Sequence, residues 1–283
     1  MADWGVITAA LTPFTDDGSV DEDAFVALVG HLLDNGSDGV VVAGTTGEGA
    51  TLTDAEKISL FELAVGEFGD GATIVAGTGS NDTAHTVHLT ERATAAGCDA
   101  MLCVTPYYNK PNFRGLQAHY EAVAAATDRP IVLYNIPSRC VVDISNEELA
   151  RLAEIPNVSA VKQARYEDLE PIDGLDLLAG NDDTFADVLD KGGAGGILVA
   201  SHLVGPEMRR MVDEPDLRRE IHTNLGPVFK ALAVTTNPIP VKTAMAMLGH
   251  RVGGFRLPMI EASADEREAL RTALERQGLL SAV

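Results

Sequence analysis

Cysteine is scarce in this chain. Three occur in 283 residues, Cys98, Cys103 and Cys140, with no Cys-x-x-Cys spacing and one left over from any pairing. A disulfide framework is therefore not expected, and a reducing compartment fits. Their ordinary role is that of small buried hydrophobes; Cys140, directly after Arg139, is the one placed to matter. Basic residues are also few, 21 against 42 acidic, for a formal net charge of −21, and only six of them are lysine. Such a field repels nucleic acid and anionic membranes, so neither is expected as a partner. The acids are dispersed, as on a folded surface. A lysine-poor acidic surface suits a salt-rich cytoplasm, where screening quenches self-repulsion, and equally an ordinary mesophile.

Long apolar runs are missing too. The longest uncharged stretch, 192–206, is rich in glycine and carries His202. It falls short of the roughly 20 apolar residues that cross a bilayer. Met-Ala-Asp-Trp-Gly at the start has an acid where a secretory signal needs basic residues, so a soluble cytoplasmic protein is expected. No Gly-Lys-Ser/Thr ends a Walker loop, no three spaced glycines mark a dinucleotide site, and no Gly-x-Ser-x-Gly elbow is present. The seven histidines are scattered, His85 and His88 reading as a solvated helix face, so no metal site is expected.

What is present is a regular cadence. At 46% hydrophobic the chain can bury a full core, and one domain of α/β-barrel size fits better than two small ones. Short apolar runs recur at 6–10, 39–43, 73–77, 100–104, 131–134, 158–162, 175–179 and 196–199. Most are near-continuous Val, Ile, Ala and Leu, as when both faces of a strand are covered. Helix-like stretches lie between most of them. Phe25, Leu28, Val29 and Leu32 share one helical face behind a candidate cap, Asp21. Thr53-Asp-Ala-Glu and Ser145-Asn-Glu-Glu are capping boxes. Strand and helix alternating at this cadence predict a (β/α)₈ TIM barrel over 1–204. Positions 206–283 look wholly helical, interrupted by Pro238 and Pro240, which predicts a C-terminal helical appendix over 205–283. An open doubly wound sheet is the alternative, because periodicity does not reveal strand order.

In a barrel, chemistry sits at the C-terminal ends of the strands, and the unusual residues fall there. The second strand exits into Gly44-Thr45-Thr46-Gly47-Glu48 and the fourth into Thr105-Pro106-Tyr107-Tyr108-Asn109. The fifth ends at Tyr134-Asn135 and turns through Ile136-Pro137-Ser138-Arg139. Lys162 ends the sixth, Gly180-Asn181-Asp182-Asp183 follows the seventh, and the eighth carries Ile197. Each alone has an ordinary reading: a turn, a core aromatic, a salt-bridged arginine, a lysine snorkelling to water. Together they equip a pocket for 2-keto acids. A desolvated lysine is neutral near pH 7 and can form a Schiff base. Two threonine hydroxyls with nearby backbone N–H groups can hold a small carboxylate. One tyrosine can move protons, through a threonine, to a second tyrosine. A rim arginine can grip a second carboxylate.

These motifs, with Val161-Lys162, Asn237-Pro-Ile-Pro-Val-Lys and Arg256-Leu-Pro-Met, run in order over nearly the whole chain. As a set they resemble the dihydrodipicolinate synthase family, within the pyruvate-dependent class I aldolases related to N-acetylneuraminate lyase. The resemblance implies condensation of pyruvate with aspartate semialdehyde in lysine and diaminopimelate biosynthesis, with no metal or organic cofactor. It implies that Lys162 forms the imine and Tyr134 donates and accepts protons, with Thr45 and Tyr108 completing the relay. Thr45 and Thr46 would bind the pyruvate carboxylate, Ile197 would give a main-chain contact, and Gly180 would be a further substrate-binding position. Arg139 would engage the semialdehyde carboxylate. The family's relay tyrosine reaches a neighbouring subunit, so a homo-oligomer, a dimer of dimers, is implied. The rival within the scaffold is an aldolase cleaving 2-keto-3-deoxy sugar acids to pyruvate and an aldehyde; a barrel that only senses a keto acid is a remoter one.

Three departures from the family pattern stand out. Gln163 replaces the glutamate usual after the Schiff-base lysine, removing a charge near the amine. Cys140-Val141 replaces the usual Thr-Gly after the arginine. Of the positions matching the family's lysine-feedback pocket, Gly49, Ala50, Asp54, Lys57, Asn81 and His85, only Ala50 and Asn81 agree. Weak or absent inhibition by lysine is expected.

Overall fold

Eight parallel strands close on themselves in sequence order in the computed structural model, which describes residues 4–281. The chain runs β1 (Gly5–Ala9), α1 (Glu22–Asp34), β2 (Gly39–Val42), α2 (Asp54–Phe68), β3 (Thr73–Gly77), α3 (Thr83–Ala96) and β4 (Ala100–Val104). It continues with α4 (Phe113–Ala124), β5 (Ile131–Asn135), the single turn α5 (Pro137–Cys140), α6 (Asn146–Leu152), β6 (Val158–Gln163) and β7 (Asp176–Ala179). After α7 (Phe185–Asp190) and β8 (Gly195–Leu198) come α8 (Ser201–Asp213), α9 (Arg218–Leu232), α10 (Ile239–Met247) and α11 (Ala264–Arg276). β8 pairs with β1, which decides for the closed barrel over the open sheet.

Alternation along each strand builds two cores. Val6, Val40, Ile74, Met101, Leu133 and Val161 face outward and pack under the helices. Ile7, Val41, Val75, Leu102, Val132, Ala160, Leu178 and Ile197 fill the barrel. The seam between β1 and β8 needs a glycine. Gly195 has φ +148, and a Cβ there would lie 2.2 Å from the Gly5 carbonyl oxygen.

The predicted helix starts are present. Asp21 accepts from the Ala24 N–H at 3.1 Å. Thr53 with Glu56, and Ser145 with Glu148, form reciprocal capping boxes. The stretch after 205 departs from expectation in two ways. Pro240 does not interrupt a helix; it lies in the first turn of α10, where a missing N–H costs nothing. Residues 250–263 are irregular rather than helical. Gly253, at φ +65, passes so close to Phe14 that a Cβ would clash with its carbonyl, so this segment is tied to the loop after β1.

Candidate active site

The last inward-facing positions of β5 and β6 are Tyr134 and Lys162, which are register partners. Parity dictates this: Val132 and Ala160 point inward, so the residues two further along do too. Lys162 is 5% exposed, and its Nζ lies 4.3 Å from the centroid of the Tyr134 ring. Burial lowers the lysine pKa to about 8; Asp182 opposes that fall and Arg139 adds to it. Burial likewise pushes the Tyr134 phenol up to about 12, partly offset by Arg139 and by hydrogen bonding with Thr45. A neutral amine is thus accessible near neutrality beside a phenol that keeps its proton.

Above this pair lies a cavity of about 630 Å³, lined in part by Gly44, Thr45, Tyr107, Tyr134, Arg139 and Asn237. That is within the range of small-molecule sites. Thr45 is exposed at its wall, while Thr46 is buried and accepts a hydrogen bond from Asn237 Nδ2 at 2.9 Å. Arg139, in α5 at the rim, donates to the Asn237 carbonyl at 3.2 Å. Ile197 is buried inside the barrel. Gly180, just past β7, donates its N–H to the Gln163 carbonyl at 2.8 Å, and a Cβ would crowd that strand. Of these residues Thr45, Tyr134 and Arg139 line the cavity, whereas Lys162, Thr46, Gly180 and Ile197 are not in its lining. Tyr108 stands apart from all of them: it is 89% exposed, has φ +72, and does not line the cavity of its own chain either.

Gln163 faces the other way from Lys162. Its Oε1 accepts from Asn135 Nδ2 at 3.0 Å on the outer side of the barrel. The amide therefore alters the layer between strands and helices rather than the mouth, and the charges acting on Lys162 are those of Asp182 and Arg139. Cys140 lines the cavity, but burial pushes its thiol up to about 11, so it is no nucleophile near neutral pH. Val141 ends α5 at φ +67, a left-handed conformation that costs a β-branched residue roughly 1–2 kcal/mol.

Sequence reasoning passed over a buried ion pair beneath the mouth. Lys242 Nζ donates to Glu48 Oε1 at 2.7 Å and to the Thr12 carbonyl at 2.9 Å, and lies over the Phe14 ring. Glu48 Oε2 accepts from the Arg256 N–H at 3.1 Å. Both partners stand in the quoted motifs, Gly-Thr-Thr-Gly-Glu and Asn-Pro-Ile-Pro-Val-Lys, which was the available signal. The pair ties the Thr45–Thr46 turn to α10 and to the 250–263 segment. Lys242→Met strands the Glu48 carboxylate, and about 3–5 kcal/mol of stability should be lost in denaturant unfolding. Adding Glu48→Gln should restore part of it; an unchanged single variant would show the pair to be dispensable.

The family described as the dihydrodipicolinate synthetase family matches residues 3–277. A 4-hydroxy-tetrahydrodipicolinate synthase of Moorella thermoacetica is 44% identical, over 98% of this chain and 99% of its own. Among solved structures, a lysine-bound dihydrodipicolinate synthase of Cyanidioschyzon merolae superposes with a TM-score of 0.94 at 39% identity, covering 99% of this chain and 100% of that one. The chloride-inhibited enzyme of Acinetobacter baumannii, in complex with pyruvate, gives 0.95 at 34% identity, with coverage of 99% and 100%.

Proposed function

The chain belongs to the dihydrodipicolinate synthetase family, and on that footing we propose that it condenses pyruvate with L-aspartate 4-semialdehyde to 4-hydroxy-tetrahydrodipicolinate. This is pyruvate-dependent class I aldolase chemistry, a step of lysine and diaminopimelate biosynthesis. The observation that carries it is the lysine with a lowered pKa, in register with a buried tyrosine under a cavity rimmed by Arg139. The sugar-acid aldolase is not favoured, since the relatives are named as synthases.

The neutral Lys162 amine attacks pyruvate C2, and water leaves to give a protonated imine. That cation draws electrons, so a methyl proton departs and an enamine forms. The enamine carbon attacks the semialdehyde aldehyde, whose carboxylate Arg139 holds. The substrate amine then closes on the imine carbon, and Lys162 leaves as a free amine. Ring closure is fast because both reacting ends are tethered. Thr45 and Thr46 with the Ile197 main chain hold the pyruvate carboxylate, Gly180 adds a contact, and Tyr134 passes protons through Thr45 to Tyr108. No metal or organic cofactor takes part.

Tyr108 is nearly fully exposed in a single chain, so the relay needs this residue from a second copy. A tight homodimer, paired into a dimer of dimers, supplies it. The barrel, 1–204, and the helices packed on it, 205–283, divide at the kink in α8 beside Val204. Among the described residues no helix is long and apolar enough to cross a membrane, and a cytoplasmic location suits the chemistry.

Substrate choice is tested by holding pyruvate constant and comparing aspartate semialdehyde with glyceraldehyde and related aldehydes. Faster product formation from glyceraldehyde would overturn the assignment. Only the neutral amine attacks, so kcat/KM for pyruvate should rise with pH and level off above about 8. Below that it should fall roughly tenfold per pH unit as the lysine takes up its proton. A profile with no acid limb would contradict Lys162 as the nucleophile. One wing of the cavity holds Lys57 and a His85–Asp54 pair at 2.8 Å. The Lys57 ammonium there repels the like-charged ammonium groups of free lysine, so turnover should be insensitive to millimolar lysine.

A further inference from the structure

Thr46 carries a buried hydroxyl whose hydrogen bonding is one-sided. Asn237 donates to its Oγ1 through Nδ2 at 2.9 Å, and among the described residues nothing accepts the hydroxyl's own hydrogen. A hydroxyl offers one donor and two acceptor positions, and an amide NH2 can fill only an acceptor position. The contact therefore turns the Thr46 hydrogen away from Asn237 and leaves it without an acceptor. The turn that carries Thr46 is held separately: Thr12 Oγ1 donates to the Gly47 carbonyl at 2.6 Å, and Lys242 fixes Glu48. Asn237 lines the cavity, as does Thr45, and its main-chain carbonyl accepts from Arg139 at 3.2 Å. One residue thus touches both groups assigned to substrate carboxylates, Thr46 by its side chain and Arg139 by its backbone.

We propose that Asn237 is a positioning residue that sets the direction of the Thr46 hydroxyl. By filling a lone pair of Oγ1 and presenting no acceptor to it, Nδ2 leaves the O–H to donate to the pyruvate carboxylate. This rests on the assignment of Thr46 to that carboxylate. A buried donor without a partner is costly, and an arriving carboxylate relieves the cost. Neither carboxylate that lines the cavity competes for the hydrogen, because Glu48 is engaged by Lys242 and Asp54 by His85. The two roles of Asn237 are also separable. Its side chain serves pyruvate, whereas the carbonyl that holds Arg139 survives any side-chain substitution.

Asn237→Ala removes the amide and lets the hydroxyl rotate. KM for pyruvate should rise about 3- to 10-fold, with kcat and KM for aspartate semialdehyde close to wild type. Asn237→Asp keeps the shape but has only acceptors; it takes the Thr46 hydrogen and sets a negative charge against the incoming carboxylate. KM for pyruvate should then rise about 100-fold or more. In Thr46→Val, which lacks the hydroxyl, adding Asn237→Ala should raise that KM no further. A further rise there would show Asn237 acting other than through Thr46 and would overturn the proposal. So would an Asn237→Asp variant with wild-type KM, because the hydroxyl would then already donate to Asn237. Both KM values rising together, with kcat falling, would reduce Asn237 to a structural role. If Asn237→Asp does not fold, Asn237→Ala and the double variant decide the matter. The pyruvate concentration that gives half-maximal borohydride labelling separates this inference from the broader reading. Wild-type protein that takes no label removes the Schiff-base assignment and this inference together. Half-maximal labelling at the wild-type concentration in the Asn237 variants removes this inference alone.

Discussion

Lys162→Ala should give a folded protein that pyruvate and borohydride no longer label, with turnover down by at least about 10⁴-fold. In the wild-type chain, reduction of the trapped imine adds the mass of pyruvate less water plus the transferred hydrogens, and peptide mapping should place it on Lys162. No compensation is available, since covalent attachment makes the electron sink and no neighbouring group replaces an amine. The fold should survive, because alanine removes a buried group whose charged form is disfavoured there. Labelling that persists in the variant, or maps to another lysine, would end the proposal.

Tyr134→Phe should cost roughly 10²–10⁴ in kcat, the contribution expected of a positioned proton donor and acceptor. The substitution keeps the ring, and with it the packing inside the barrel and the contact with Lys162 Nζ. What disappears is a phenol that holds its proton well above neutral pH and hands it on when an alkoxide or amine develops. Imine formation should slow rather than vanish, so borohydride trapping reaches completion more slowly while pyruvate binding changes little. Wild-type turnover in this variant would move the proton relay to some other group.

The strands were legible because both faces of each are covered, which leaves near-continuous apolar runs rather than alternation. Helix starts were legible because capping is local, written within four residues at Thr53–Glu56 and Ser145–Glu148. Residues 250–263 were misread as helical because a clasp over Phe14 and Glu48 is a tertiary contact with no local period. The effect of Gln163 was misjudged for a related reason. Adjacency in sequence suggested a neighbour of the Lys162 amine, whereas strand geometry sends consecutive side chains to opposite faces.

By itself the sequence determined the strand–helix cadence, the mouth residues Thr45, Tyr134, Arg139 and Lys162, and the resemblance that joins them, because each is carried by local pattern or motif. Tertiary structure alone decided that β8 meets β1, that Glu48 and Lys242 pair across 194 positions, and that Asn237 reaches Thr46 across 191. It also decided how far burial lowers the Lys162 pKa. Desolvation and charge pairing depend on what surrounds a group in space, and no spacing along the chain encodes that.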